Sequence, residues 1–298
     1  MSIFTITGAT VRDLEIIQQY LINGYLTRLF SGNFNHETTL QIKLKPLVSI
    51  ITPCYNSEKF ISETIRSVLD QSYDNWEWWI VDDNSSDRSV EIIKNFGDER
   101  IHLIESNKNK GAAMARNAGL KNASGRFITF IDSDDLWLPG FLQKSVDFLL
   151  NNNEELVYAT YRRYDENLQP LLGDFEARDH ITFEKILYSC PIPMLTAMYD
   201  TQRIGKIQIP DVDMREDHAM WMDILKKIPS ARAIKEPLAI YRIRKSSYSR
   251  DKFLILRKQF MVYYKFLNLS LFRSTYYTVH WAMNGMKKYE KLKLRNHS

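Results

Sequence analysis

Phe127-Ile128-Thr129-Phe130-Ile131 runs directly into Asp132-Ser133-Asp134-Asp135-Leu136, and this passage decides how the chain is read. Five apolar or β-branched residues in a row suit a strand buried on both faces, as in the middle of a parallel sheet. Acidic residues at the carboxyl end of such a strand fall where open α/β sheets bind their ligands. Asp132 and Asp134 are two apart, so in extended backbone their side chains point the same way. Two carboxylates on one side of a strand end repel unless a cation or hydrogen-bond donors hold them. Hard divalent cations take oxygen ligands of this kind, and Mg²⁺ commonly shares them with substrate phosphates. The competing reading is an acidic turn ahead of a helix that starts near Pro139.

Outward from this strand the same pattern recurs. Leu47–Ile51 reads as a strand and 58–70 as a helix, with Ile61, Ile65, Val68 and Leu69 on one side. Trp78–Val81 (strand), Ser89–Phe96 (helix), Ile101–Ile104 (strand) and Gly111–Ala123 (helix) lead back to Phe127. Strand and helix alternate four times, which predicts βαβ units and an α/β fold with a mostly parallel, Rossmann-like central sheet flanked by helices. Leu156–Tyr161 is a further strand, and shorter candidates lie at Leu195–Tyr199 and Ala239–Ile243. Ahead of the domain, Leu14, Ile17, Leu21, Tyr25 and Leu29 have helical spacing over Val11–Phe30, ended by Ser31-Gly32-Asn33. Three regions are therefore expected: a helical extension over 1–45, the α/β domain over 46–250, and a basic, aromatic, helical tail over 251–298.

Three strand ends carry polar tips: Thr52-Pro53-Cys54-Tyr55-Asn56, then Asp82-Asp83-Asn84-Ser85-Ser86-Asp87, then the acidic cluster. Together they imply one crevice at the carboxyl edge of the sheet. Helix capping is the alternative for 82–87, with Ser86 the candidate cap. The chain has neither GxGxxG after its first domain strand nor GxxxxGK[ST], so the two commonest phosphate loops are missing. A diphosphate would have to be neutralised by a cation on the carboxylates and by basic side chains. Lys108, Lys110 and Arg116 beside the helix from Gly111, and Arg242 and Arg244 after the late strand, are the candidates. The segment Ser189–Thr196 reads equally as surface beside that crevice or as core.

Composition narrows the class. The only cysteines, Cys54 and Cys190, fit a reducing compartment and argue against a disulfide scaffold or a zinc site. No signal peptide is expected in Met1–Phe4, which lacks a basic region, and no apolar run reaches the ~18–20 residues of a membrane span. The net charge of +4 conceals an asymmetry: Arg250–Ser298 holds eleven Lys/Arg against two Asp/Glu, leaving 29 basic and 34 acidic residues elsewhere. Basic residues interleaved with Phe260, Tyr263, Tyr264, Phe272 and Trp281 suit an anionic membrane surface. Nucleic acid is the rival polyanion, but no nucleic-acid-binding motif is present. The remaining reading of the tail is a helical cap on the α/β domain.

The ordered set Val48–Asn56, Val81–Asp87, Asn109–Asn117, Phe130–Asp135, Arg215-Glu216-Asp217 and Tyr241–Ser249 resembles the family 2 glycosyltransferases with a GT-A type fold. The likeness covers about residues 46–250 and is nearest to bacterial enzymes that build capsule, O-antigen or teichuronic-acid-like polysaccharides. It implies an inverting transfer of sugar from a nucleotide donor, most often a UDP-sugar, to a hydroxyl of a growing glycan, here expected to be lipid-linked. It places Thr52, Pro53, Tyr55 and Asp83 around the base, Arg116 along the nucleotide, Asp132 on the ribose, and Asp134 on a Mn²⁺ or Mg²⁺ that bridges the diphosphate. Asp217 is implied to be the general base, with Glu216 as fallback and His218 as a structural or acceptor-side residue. Arg242 is grouped with the nucleotide-binding residues. Arg244 stands where relatives often carry a histidine. A guanidinium offers donors only and cannot ligate a metal, so Arg244 is expected on the diphosphate, with Ser246, Ser247 and Ser249 as further donors. Cys54 is read as a packed thiol. Such an enzyme would work in the cytoplasm, peripherally on the inner face of the membrane. Two other functions remain: transfer to polyprenyl phosphate, and an inactive sugar-nucleotide-binding assembly partner.

Overall fold

The computed structural model describes residues 3–6, 26–29, 40–210, 212, 215–244 and 252–295. Strands β1 (Ile3–Ile6), β2 (Leu26–Leu29) and β3 (Leu40–Leu44) form a small antiparallel sheet in the order β1-β3-β2. This corrects part of the helix expected over Val11–Phe30. Leu26–Leu29 pairs with β3 from Leu26↔Leu44 to Leu29↔Gln41, while 7–25 and 30–39 lie outside the described residues. A four-residue run with apolar ends satisfies both periods, and the partner strand supplied the deciding hydrogen bonds.

The domain follows in chain order as β4 (Val48–Cys54), α1 (Ile61–Leu69), β5 (Trp76–Asp82), α2 (Ser89–Asn95), β6 (Ile101–Glu105), α3 (Ala112–Asn122) and β7 (Phe127–Phe130). Next come β8 (Leu136–Trp137), α4 (Phe141–Asn151), β9 (Leu156–Tyr164), β10 (Pro170–Phe175), α5 (Phe183–Ile186), a 3₁₀ turn (Met194–Thr196), β11 (Met198–Asp200) and α6 (Thr201–Ile204). Helix α7 (Glu216–Leu225) and β12 (Arg232–Arg242) close it. The tail is α8 (Lys252–Met261), a π-helical turn (Val262–Phe266) and α9 (Leu271–Arg295).

The nine-stranded sheet has the order β6-β5-β4-β7-β11-β9-β12-β8, with β10 beside β9. β4 pairs in parallel with β5 and β7, and β5 with β6. This is the half that the alternation predicted. The other half is mixed: β11 is antiparallel to both neighbours, β12 is parallel to β9 and antiparallel to β8. Pro237 interrupts the β9–β12 register, as a residue without a backbone N–H must.

Period-two alternation sends successive residues to two cores. Ile50, Trp78 and Phe127 pack with Ile61, Ile65, Val68 and Phe141 on one face. Ile51, Ile128 and Phe130 pack with Leu120, Trp221, Met222 and Tyr263 on the other. Helix α1 meets the sheet through Ile61, Thr64, Ile65 and Val68, the i, i+3, i+4, i+7 stripe of an amphipathic helix. Ser189–Thr196, left open between acceptor surface and core, is mostly core: Ile192, Met194, Leu195 and Thr196 are buried.

Candidate active site

Because β4, β5 and β7 run in parallel, their carboxyl ends lie at one edge, with Cys54 opposite Asp82 and Ile51 opposite Phe130. The loops that leave them bond to one another. Asn56 N–H donates to Ser85 Oγ (2.9 Å) and Ser86 N–H to Asn56 Oδ1 (2.9 Å). Asn56 and Asn84 take left-handed backbone, φ 48° and 66°, a conformation that asparagine tolerates better than most residues. Asp87, not Ser86, serves the start of α2: Oδ1 accepts from Ser89 N–H (3.0 Å) and Oδ2 from Glu58 N–H (2.9 Å). Thr64 on α1 donates to the carbonyls of Ser133 (3.1 Å) and Asp135 (2.9 Å) and so fixes the acidic loop.

The expected nucleotide residues divide by what they touch. Tyr55, just past the end of β4, is 51% exposed, with half-buried Pro53 beside it. Thr52 is fully buried, its hydroxyl donating to Ile131 O (2.7 Å) and accepting from Trp78 Nε1 (2.9 Å). Asp83 holds the loop before α3, accepting from Lys110 N–H (2.9 Å) and Gly111 N–H (2.7 Å). Cys54 is buried, and loss of solvent, reinforced by Asp82, pushes its thiol up to about 12. A thiol so held is no nucleophile.

Arg116 joins the two ends of the site. It is almost wholly buried in the first turns of α3. One amino group donates to Asp132 Oδ1 (2.5 Å) and the other lies 3.6 Å from Glu216 Oε1 at the start of α7. Its Nε is buried without a hydrogen-bond partner among the described residues. The strand end bearing Asp132 and the helix bearing Asp217 thus meet at one guanidinium. Asp134 pairs with Arg244, whose Nε lies 2.8 Å from Oδ2. Buried Asp135 accepts from Arg242 N–H (2.8 Å).

The cluster is electrostatically short of positive charge. Burial, then the neighbouring Asp132, raises Asp134 against the opposing pull of Arg244. Burial followed by Asp134 and Asp132 raises Asp135 well above the usual carboxylate range. Burial, with Asp217 beside it, raises Glu216. A divalent cation fits this surplus. Among the described residues no group of three or more His, Cys, Asp or Glu forms a metal cage. Asp134 together with substrate oxygens could hold a cation, the manner in which Mg²⁺ is usually held.

Arg242 has a different partner from the one expected. Its guanidinium, 1% exposed, donates to Glu63 Oε2 on α1 (2.6 Å) and lies 4.7 Å from the Phe60 ring. That places its charge on α1, with only its backbone N–H on the acidic loop. Lys108 and Lys110 are exposed. Ser246, Ser247 and Ser249 lie outside the described residues.

The sequence reading missed the tail's part in the site. Gln259 of α8 is fully buried. Its Oε1 accepts from Arg215 Nε (3.0 Å) and its Nε2 lies 3.1 Å from His218 Nδ1. Trp281 of α9 lies under the Arg215 guanidinium, 5.0 Å from ring centre. Tyr263 donates to Leu187 O (2.6 Å). A lone Gln amid Phe253, Leu254, Leu256, Phe260 and Met261 was the available signal. The tail is therefore packed on the domain, as its cap reading required. Yet α9 keeps Phe272, Tyr276, Val279 and Met283 exposed while Ser274 and Thr278 face inward.

The profile of glycosyl transferase family 2 matches residues 49–195. TuaG of Bacillus subtilis (strain 168), whose name assigns it to teichuronic acid biosynthesis as a glycosyltransferase, is 38% identical over 82% of this chain and 98% of its own. WfgD of Escherichia coli, a UDP-Glc:α-D-GlcNAc-diphosphoundecaprenol β-1,3-glucosyltransferase, is 40% identical over 82% of this chain and 95% of its own. In structure, S. aureus TarS 1–349 in complex with UDP-GlcNAc superposes with a TM-score of 0.63 at 20% identity, over 79% of this chain and 71% of TarS 1–349.

Proposed function

This chain belongs to glycosyl transferase family 2 and has its GT-A type fold, and from that premise we propose that it moves a sugar from a UDP-sugar to a hydroxyl of a lipid-linked surface glycan, with inversion. The observation that carries the reading is Arg116, which pairs with Asp132 on one side and approaches Glu216 on the other. It makes a single site of the strand end suited to a nucleotide and the helix that bears Asp217. The UDP moiety of the donor and the undecaprenol-linked acceptor follow WfgD.

In this reading Tyr55, Pro53 and Asp83 border the base, with buried Thr52 beneath them supporting the strand end. Asp132 takes the ribose and Arg116 orients it. The acceptor oxygen attacks the anomeric carbon from the face opposite the diphosphate. The bond from that carbon to the diphosphate oxygen breaks, and the acceptor proton passes to Asp217. A sugar hydroxyl is a weak nucleophile, so a positioned carboxylate contributes by removing the proton as the new bond forms. UDP departs with its electron pair, and Arg244 moves from Asp134 to its phosphates to offset the growing charge. Mn²⁺ or Mg²⁺ held on Asp134 would supply Lewis-acid stabilisation of the same oxygens. Arg242 supports the site through Glu63.

Among the described residues no helix is long and apolar enough to cross a membrane. The proposed access to a lipid-linked acceptor is peripheral, at the cytoplasmic leaflet, through the basic tail and its exposed Phe272, Tyr276, Val279 and Met283.

The test is a panel of UDP-Glc, UDP-GlcNAc and UDP-Gal assayed with and without Mn²⁺, using Asp217→Asn and Asp134→Ala. Asp217→Asn is expected to lower kcat by roughly 10²–10⁴, the usual range of general base catalysis, with UDP affinity kept. Asp134→Ala and excess EDTA are each expected to remove nearly all turnover. Parallel loss of UDP affinity in Asp217→Asn would make Asp217 a binding residue, and full activity in EDTA would remove the cation from the mechanism. Transfer to polyprenyl phosphate alone would change the acceptor class.

A further inference from the structure

We propose that Gln259 of the tail is a positioning residue for catalysis: through Arg215 and His218 it fixes the first turn of α7 and hence the place of the Asp217 carboxylate. The inference rests on the reading of Asp217 as the base.

His218 settles the hydrogen-bond directions. Its Nε2 lies 2.9 Å from Ile186 O, and a carbonyl only accepts, so Nε2 carries the proton and Nδ1 is the acceptor. The Gln259 amide must then present its NH₂ to Nδ1, at 3.1 Å, and its oxygen to the Nε–H of Arg215, at 3.0 Å. Both ends of the amide are satisfied by a single orientation. Burial, followed by the nearby Arg215 charge, lowers His218 to about 4, so at neutral pH the ring keeps the lone pair this arrangement uses. Gln259 and His218 are both fully buried, and a buried polar group left unpaired is strongly disfavoured. The pair is therefore locked.

The two residues that Gln259 grips bracket Glu216 and Asp217. Arg215 adopts φ 72° at the entry to α7, a left-handed backbone that only surrounding contacts can hold in a non-glycine residue. Among the described residues its side chain is held by the tail, through the Gln259 oxygen and the Trp281 ring, 5.0 Å from the guanidinium. On the other side, Glu216 lies 3.6 Å from Arg116. The acidic pair is thus set between a tail anchor and a donor-side anchor. Neither Gln259 nor Trp281 has any other assigned part in the reaction.

The experiment uses the full chain with Mn²⁺ and measures slow hydrolysis of UDP-Glc, UDP-GlcNAc or UDP-Gal, whichever turns over. There water replaces the acceptor and Asp217 removes its proton. Gln259→Met keeps length and packing but neither hydrogen bond. It is expected to lower kcat 10- to 100-fold with the donor KM within twofold of wild type. In an Asp217→Asn background the same substitution is expected to change kcat less than threefold, because a residue acting through the base has nothing further to lose. An equal fall in both backgrounds, or a KM that rises with an unchanged kcat, would overturn the inference while leaving the base reading intact. Wild-type kcat in Asp217→Asn alone would overturn the base reading and this inference with it. Should Gln259→Met not fold, Trp281→Leu releases Arg215 from the other side and is expected to lower kcat at least threefold with KM unchanged. An unaltered kcat there would count against the proposal.

Discussion

Arg244 and His218 show how much a single side chain's surroundings decide. Arg244 lies 2.8 Å from Asp134, and both are proposed to change partners when a donor binds. Arg244→Ala is expected to weaken UDP binding by about 1.5–3 kcal/mol, the scale of a charged hydrogen bond, and to leave uridine binding nearly unchanged. Calorimetry with both ligands checks this, and equal weakening would remove the phosphate role. His218 makes stability depend on pH. Its folded pKa, about 4, lies below the ordinary 6.5, so between these values the unfolded chain binds the extra proton. Stability is then fully present above about pH 6.5 and is lost as pH falls towards 4. The loss is on the order of 3 kcal/mol from this group. His218→Gln, which cannot titrate, is expected to flatten the fall in urea midpoint between pH 7 and 4.5. At this scale the acidic residues stood out because like charges two apart repel unless something holds them, and here a different arginine holds each, Arg116 on Asp132 and Arg244 on Asp134. Arg242 was not, because its partner Glu63 lies 179 positions away.

Elements were legible where hydrophobic period and length agreed. The strands and helices from Val48 to Phe130 all stand near their expected places, since largely apolar strands alternating with helices favour a layered α/β arrangement. Leu26–Leu29 did not, because four residues carry no period. Close approach between elements is also invisible in a pattern. Gly125, just before β7, donates its N–H to Ser49 Oγ (2.7 Å) on β4. A Cβ at this position would stand 2.6 Å from Ser49 N and 2.9 Å from Leu47 O. Backbone cannot yield there as a side-chain tip would. Gly125→Ala is therefore expected to cost about 1–3 kcal/mol, the range of overpacked interiors, read as a lower urea midpoint with an unchanged m-value.

At the scale of the whole molecule, the tail faces two ways. Gln259, Val262 and Tyr263 are buried against the domain, while Phe272, Tyr276, Val279 and Met283 are left outside. The eleven Lys/Arg against two Asp/Glu from Arg250 onward favour the proposed contact of the tail with an anionic surface, at roughly 1 kcal/mol for each basic residue close to it and less as salt rises. The protein is expected to sediment with anionic liposomes at low salt and to be released at high salt. The double substitution Phe272→Ser with Val279→Ser should lose most of that binding while donor hydrolysis persists. Equal sedimentation with neutral and anionic vesicles would defeat the electrostatic anchor, and none with either would leave the tail as a cap alone. Truncation after Arg250 is expected to lower stability as well, because it empties the space of Tyr263 and leaves His218 and Arg215 without Gln259.

The sequence by itself determined the parallel half of the sheet, the edge at which its strands end, and the carboxylates that gather there. These follow from short-range periodicity and from charges close together in the chain. The tertiary structure decided which arginine serves which acid. It paired Arg116 with Asp132 and Glu216, Arg244 with Asp134, and Arg242 with Glu63. It also decided that the tail grips the entry to α7. Such pairings are settled by which surfaces bury one another, and burial joins residues whose separation along the chain leaves no local trace.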